Sequence, residues 1–191
     1  MKSTIKILIL LLITFAIFSF TSRVIKEKEV KIKSSTISWK GYKVAGSHTG
    51  IIQLKSGVLK FDNNMLVGGE FEIDMSSIVC TDLSGEYKEK LEGHLKSDDF
   101  FGTEKHPTAT LVYTNVQKKE NNTYSVTANL TIKNKVHPVS FDMVVSKNNA
   151  TASLKVDRTK YDIKYGSSSF FDNLKDKAIH DEFDVTVALQ F

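Results

Sequence analysis

The chain has a single cysteine, Cys80, so no disulfide can form within it. A domain made from it must stand on burial and hydrogen bonding alone. No cysteine lies close after the apolar N-terminal run, so there is no lipid-acceptor cysteine there. A large excess of one charge is lacking as well. Lys and Arg number 26 and Asp and Glu 22, and Lys2 and Lys6, which precede the apolar run, supply two of that excess of four. The calculated isoelectric point of 9.0 therefore overstates how basic the remainder is. No basic patch or stripe points to nucleic acid as a partner. Catalytic signatures are missing too. There is no nucleophile-elbow motif, and the adjacent His180-Asp181 pair has no evident nucleophile. No enzyme activity and no catalytic residue are expected. The histidines, His48, His94, His106, His137 and His180, are never paired at ligand spacing on a helix. Only Glu92/His94 and His180/Asp181/Glu182 bring acids near one, so no metal site is expected.

What remains describes an ordinary globular chain. It has 191 residues, 41% hydrophobic and 25% charged, enough for one domain with a core. Residues 1–22 stand apart. Lys2 and Lys6 give a basic start, Ile7 to Phe20 is an apolar run, and Ser19, Thr21 and Ser22 are small residues at its end. That is the pattern of a secretory signal peptide, with an uncleaved anchor as the alternative. The protein is expected to be exported, either periplasmic or secreted. Residues 23–33 are charged and without turn chemistry, and are expected to form a tether. Residues 34–191 form the domain.

Within the domain, apolar and polar residues alternate in segment after segment. Ser34–Val44 carries Ile37 and Trp39 on one face. Thr49–Ser56 and Val58–Phe61 are separated by Gly57, which breaks the pattern, and Asp62-Asn63-Asn64 reads as a turn. In Leu66–Met75, Val67, Phe71, Ile73 and Met75 oppose Glu70, Glu72 and Asp74. Thr108–Val116, Tyr124–Ile132, Val136–Ser146, a strand through Ala152, Leu154 and Val156, and Glu182–Phe191 continue the alternation. About eight strands with one wet and one dry face make an antiparallel sheet. To cover its dry face, such a sheet must pack as a sandwich or close as a barrel.

One stretch departs from this pattern. Residues 85–94 read as a short helix with Tyr87 and Leu91 four apart, and Leu95 four beyond. Ser97-Asp98-Asp99 ends it, the pair Phe100-Phe101 follows, and His106-Pro107 leads into the next strand. Two Phe, two Leu and a Tyr in a polar insertion are expected to dock into the interior. The same stretch carries a resemblance. His94-Leu95-Lys96-Ser97-Asp98-Asp99-Phe100-Phe101, followed by Lys105-His106-Pro107-Thr108-Ala109-Thr110-Leu111, is similar to the signature of the YceI-like family. The likeness runs from Ile37-Ser38-Trp39-Lys40-Gly41 through Gly69-Glu70-Phe71, Val156-Asp157-Arg158 and Ile163-Lys164-Tyr165-Gly166 to Ile179-His180-Asp181.

The resemblance implies an all-β, lipocalin-like antiparallel barrel of about eight strands with a short helical insertion. It also implies a binding function, with an isoprenoid chain held in the barrel as carrier or store. The ligand would be a polyprenyl pyrophosphate or an isoprenoid quinone, and no other cofactor is required. The dry-face set would line the site: Phe71, Ile73 and Met75; Leu130 and Ile132; Phe141 and Met143; Leu154 and Val156; Val185 and Leu189. The plainer alternative is that these residues pack on one another in a ligand-free structural or stress-protective envelope protein. Polar candidates for a headgroup, each inside a stretch matching the family pattern, are Lys43, His48, His94 and Arg158. Arg158 has the fork that fits phosphate oxygens, or else pairs with Asp74 or Asp181. A transient membrane contact and a homodimer are expectations that the sequence leaves open.

Overall fold

The computed structural model describes residues 27–191, so the expected signal peptide and residues 23–26 lie outside it. Nine strands and one α-helix follow in order: β1 (Lys28–Lys31), β2 (Ser34–Lys43), β3 (Gly46–Asp62), β4 (Met65–Cys80), α1 (Gly85–Lys96), β5 (Thr108–Lys118), β6 (Thr123–Ile132), β7 (Lys135–Val145), β8 (Asn149–Asp157) and β9 (Glu182–Gln190). All neighbours are antiparallel, and pairing of β3 with β4 closes the sheet into a barrel of eight stations. Closure gives each of β2 to β9 a strand neighbour on both sides.

Two sequence expectations change here. The charged stretch 23–33 is not a tether throughout. Lys28–Lys31 pair with Phe61–Val58 of β3, in the same register that β2 keeps further along that strand. Val30 and Ile32 pack against the core, so β1 prolongs β2 and the domain begins by residue 28. Charge disguised this strand because its apolar positions are only two. Gly57 does not interrupt β3 either. A Cβ at Gly57 would lie 2.6 Å from Cδ1 of Phe71, so glycine there makes room for that ring within a continuous strand.

The long strands β3 and β4 bend by register shifts between Ile51 and Gln53, Leu54 and Ser56, and Lys60 and Phe61. Such bulges increase local twist and let a strand curl around a barrel. The last shift corrects another expectation. Lys60 pairs with Gly68 and Phe61 with Leu66, so Val67 is skipped. Leu66 turns inward at 3% exposure and Val67 turns outward at 39%. Elsewhere the turns follow the polar signals. Asn63-Asn64 and Lys133-Asn134 each place both central residues at positive φ, as two-residue hairpins require.

At one end of the barrel, short hairpins and the chain terminus surround a cluster of Leu59, Leu66, Tyr124, Val126 and Phe191. At the other end, α1 and the β8–β9 connection cover the opening. Leu95, Phe100 and Phe101 are buried with Tyr161 and Ile163. The docking expected of the insertion therefore holds for its Phe and Leu residues. Tyr87 does not follow and stays 75% exposed, because α1 buries its C-terminal half and leaves its first turn in solvent. One seam is incomplete. β7 and β8 pair only through Met143–Ala152, Val144–Thr151 and Val145–Ala150. Pro138, which has no N–H to offer a neighbour, lies on the unpaired part of β7.

Gly50, opposite both Trp39 and Cys80, supports a direct test. A Cβ there would sit 1.9 Å from the Val79 carbonyl oxygen and 2.3 Å from the Trp39 ring. Gly50→Ala is expected to cost roughly 1–3 kcal/mol through overpacking. A lower urea midpoint with altered emission from Trp39, the only tryptophan, checks it. An unchanged midpoint would contradict this packing.

Candidate functional site

The two apolar clusters share Ile73, Leu111, Val139 and Leu154 along the wall but do not fill the interior. Between them lies a cavity with about 190 Å³ of space for water-sized molecules, its walls almost wholly apolar. By comparison, an engineered cavity of about 150 Å³ binds benzene and stays free of water. The eleven dry-face residues all line it: Phe71, Ile73 and Met75 from β4, Leu130 and Ile132 from β6, Phe141 and Met143 from β7, Leu154 and Val156 from β8, and Val185 and Leu189 from β9. Ile52 and Leu54 of β3 and Leu111 and Tyr113 of β5 also line it. The same two-residue alternation marks these four and would have identified them. Leu95, Phe100 and Phe101 close the wall from the α1 side.

The polar candidates fare differently. Arg158 reaches the cavity wall and is 2% exposed, but four of its five N–H hydrogens are already engaged. Nε donates to the His180 carbonyl at 3.0 Å. Nη1 donates to the Ile163 and Tyr165 carbonyls, both at 2.8 Å, and Nη2 to the Ile179 carbonyl at 3.0 Å. The Asp181 carboxylate stands 3.7 Å from Nη2. Of the two acids considered for it, Asp181 is therefore the near one, while Asp74 accepts from Ser76 instead. Burial presses the guanidinium's pKa down, and Asp181 and Asp157 oppose that. The expected phosphate fork is thus a clamp. It gathers the carbonyls of the irregular β8–β9 connection, which sheet pairing cannot satisfy.

His94 lies in the last turn of α1, 4.4 Å from the Tyr165 ring and 5.6 Å from Phe100. The Arg158 guanidinium also lies 5.6 Å from the Phe100 ring. Arg158 and His94 are thus brought to the same aromatic group, as parts of the cover rather than as open ligands. Lys43 is exposed at the end of β2 and does not line the cavity. His48 turns to Asp82, its Nδ1 3.1 Å from Oδ2. The four headgroup candidates do not form one cluster.

Asp82 also accepts from the Cys80 thiol at 3.0 Å and the Thr49 amide at 3.1 Å. Burial opposes its ionisation, but the bonds from Cys80, Thr49 and His48 outweigh that and bring its pKa down to about 2. Cys80 is fully buried, and burial raises its thiol pKa.

Sequence reasoning missed the polar residues that do reach the cavity. Tyr42 and His180 line it, with rings 5.9 Å apart, and the His180 amide donates to the Tyr42 carbonyl at 2.9 Å. The Tyr42 hydroxyl donates to Asp184 at 2.6 Å, which also receives Lys155 at 2.6 Å. Trp39 lines the cavity too, and its buried indole N–H has no acceptor. Nothing local in the sequence announces an unpaired donor.

The clamp generates a stability test. Arg158→Lys keeps the charge but cannot reach four carbonyls at once, and unsatisfied buried acceptors cost about 1–3 kcal/mol each. A loss of roughly 2–4 kcal/mol in denaturant melts is expected. A loss under about 0.5 kcal/mol, the range of ordinary surface changes, would remove the structural role.

Solved structures share this architecture. Burkholderia cenocepacia BcnA matches with a TM-score of 0.65 at 23% identity, over 81% of this chain and 94% of that one. A polyisoprenoid-binding domain from Saccharophagus degradans, implicated in plant cell wall breakdown, matches with 0.59 at 15% identity, over 83% and 95%. The Campylobacter jejuni YceI protein matches with 0.51 at 16% identity, over 94% and 92%. At these identities the likeness shows the fold. No curated protein matches the sequence. The model of the YceI-like domain matches residues 28–191, which begins at β1 and runs to the last residue; the chain belongs to the YceI-like domain family.

Proposed function

We propose that the protein is an exported carrier or store that binds an isoprenoid lipid inside the barrel and catalyses nothing. The observation that supports this most is the apolar cavity, because a barrel of purely structural use has no need to forgo that packing. The polyisoprenoid-binding relative from Saccharophagus degradans supports the same ligand class. Each buried methylene contributes about 0.8 kcal/mol, so one isoprene unit contributes a few kcal/mol relative to water. A membrane solvates the chain equally well, so selectivity must come from shape and from the polar end.

The polar end favours a neutral head. Arg158 is the one formally charged side chain on the cavity wall among the described residues, and its donors face carbonyls. A buried pyrophosphate would meet no free cation there, which is costly. In this reading a quinone carbonyl would instead accept from the Trp39 N–H, which is buried without a partner on a wall residue. The cavity as it stands suits a short apolar segment. Met75 and Met143 on its wall are flexible fillers able to repack around a longer one.

Mass spectrometry of lipid extracted from the natively purified protein tests the ligand class. An isoprenoid lipid at near one per chain is expected. Extracts free of isoprenoid would favour the ligand-free structural role. In titrations, a short-chain isoprenoid quinone is expected to bind more tightly than the matching prenyl pyrophosphate, and Trp39→Phe to weaken the quinone. The reverse order would restore an anionic headgroup.

Export rests on Lys2, Lys6 and the Ile7 to Phe20 run. N-terminal sequencing of protein from the native cell envelope should begin near Arg23. An intact Met1 on membrane-embedded protein would show an anchor instead.

A further inference from the structure

We propose that His48, Cys80 and Asp82 form a binding site for a zinc-type divalent cation at the helix-capped rim of the barrel. The fold assembles it from two strands. His48 stands near the start of β3, and Cys80 is the last residue of β4. Asp82 follows two residues later, and the Thr49 amide holds its carboxylate toward the strands at 3.1 Å.

Three observations carry the proposal. The first is donor type. An imidazole nitrogen, a sulfur and a carboxylate oxygen are the ligand set that zinc prefers, and the sulfur disfavours magnesium and calcium. The second is geometry. One donor atom from each residue lies within 4.8 Å of the other two. Around tetrahedral zinc, such donors sit about 3.3–3.8 Å apart. Asp82 Oδ2 is 3.1 Å from His48 and Oδ1 is 3.0 Å from Cys80, so side-chain shifts that turn one oxygen toward both open the space. The third is charge. Among the described residues, no lysine or arginine pairs with Asp82, and histidine is its one ion-pair partner. No permanent cation therefore competes with a metal ion for this carboxylate.

Access and support are both present. The His48 and Asp82 side chains are 26% and 33% exposed, which gives the ion an entry path, whereas Cys80 is buried behind them. Glu92 of α1 accepts the Cys80 amide at 2.8 Å and fixes the backbone that carries the sulfur. Binding exchanges one bond for another without redox change. The Cys80 S–H bond breaks, its proton leaves to solvent, and sulfur bonds the metal. His48 binds as neutral imidazole through one ring nitrogen, and Asp82 through one oxygen. The carboxylate and thiolate neutralise the ion's two positive charges. Three protein ligands leave one tetrahedral position for water or an external donor.

Cobalt(II), which absorbs light where zinc does not, tests the site on chelator-treated protein. A thiolate-to-cobalt band that saturates at one ion per chain is expected. Zinc should abolish it, and about one proton should be released per ion bound. Cys80→Ser should remove the band, and His48→Gln should weaken cobalt by about tenfold or more, with circular dichroism unchanged. His48→Gln and Asp82→Asn alter the partly exposed side of the site, so they remain informative if Cys80→Ser fails to fold. The proposal is overturned if the wild type shows no thiolate band at saturating cobalt. It is equally overturned if the folded His48→Gln and Asp82→Asn variants bind as tightly as wild type.

Discussion

An eight-station barrel is just wide enough to be filled by side chains or to keep room for one small ligand; this one keeps the room, and the other features of the protein answer to that. One end is solved by ordinary packing of Tyr124, Leu66 and Phe191. The other end is covered by chain that cannot join the sheet. Such cover carries unpaired carbonyls, and the Arg158 guanidinium collects four of them in one buried group. Lys133, reaching from the β6–β7 hairpin to the carbonyls of Asp98 and Phe100, performs the same task for the α1 side. Between the packed end and the clamped end the interior stays open, with walls almost wholly apolar.

The division of labour between the two basic residues and the apolar wall explains why charge inside this barrel is not the same thing as a charged binding site. A guanidinium with its hydrogens free would attract an anion; this one, with four of five given to carbonyls, contributes rigidity and stacks near the Phe100 ring. The identity of a residue in a family pattern therefore does not tell which of these it does. The partners decide, and here the partners are backbone atoms between residues 163 and 180.

Much of the fold was legible because side-chain direction in a strand has a period of two. That rule alone sorted Phe71, Ile73, Met75, Phe141 and Met143 inward, and they do line the cavity. It failed where the period slips. The bulge at Val67 reverses it and exchanges Val67 for Leu66. It also failed where the apolar signal is two residues long, as in β1. Closure as a barrel came from the family likeness running from about residue 35 to 191, since alternation fits a sandwich equally well. The site was less legible. Contacts such as His48 to Asp82, 34 positions apart, depend on which strand ends meet. The partners of Arg158 are carbonyls, which every residue possesses and no sequence pattern distinguishes.

The short seam between β7 and β8 has a mechanical meaning. A ring is as stiff as its weakest joint, and every other joint here is a longer ladder of backbone bonds. Above Met143 and Ala152 the two strands share no ladder, and the gap is bridged by side chains such as Tyr161 lying edge-on to His137 at 5.3 Å. Side-chain contacts yield gradually, whereas ladders yield all at once. The β7–β8 side is therefore where backbone bonding resists widening of the barrel least.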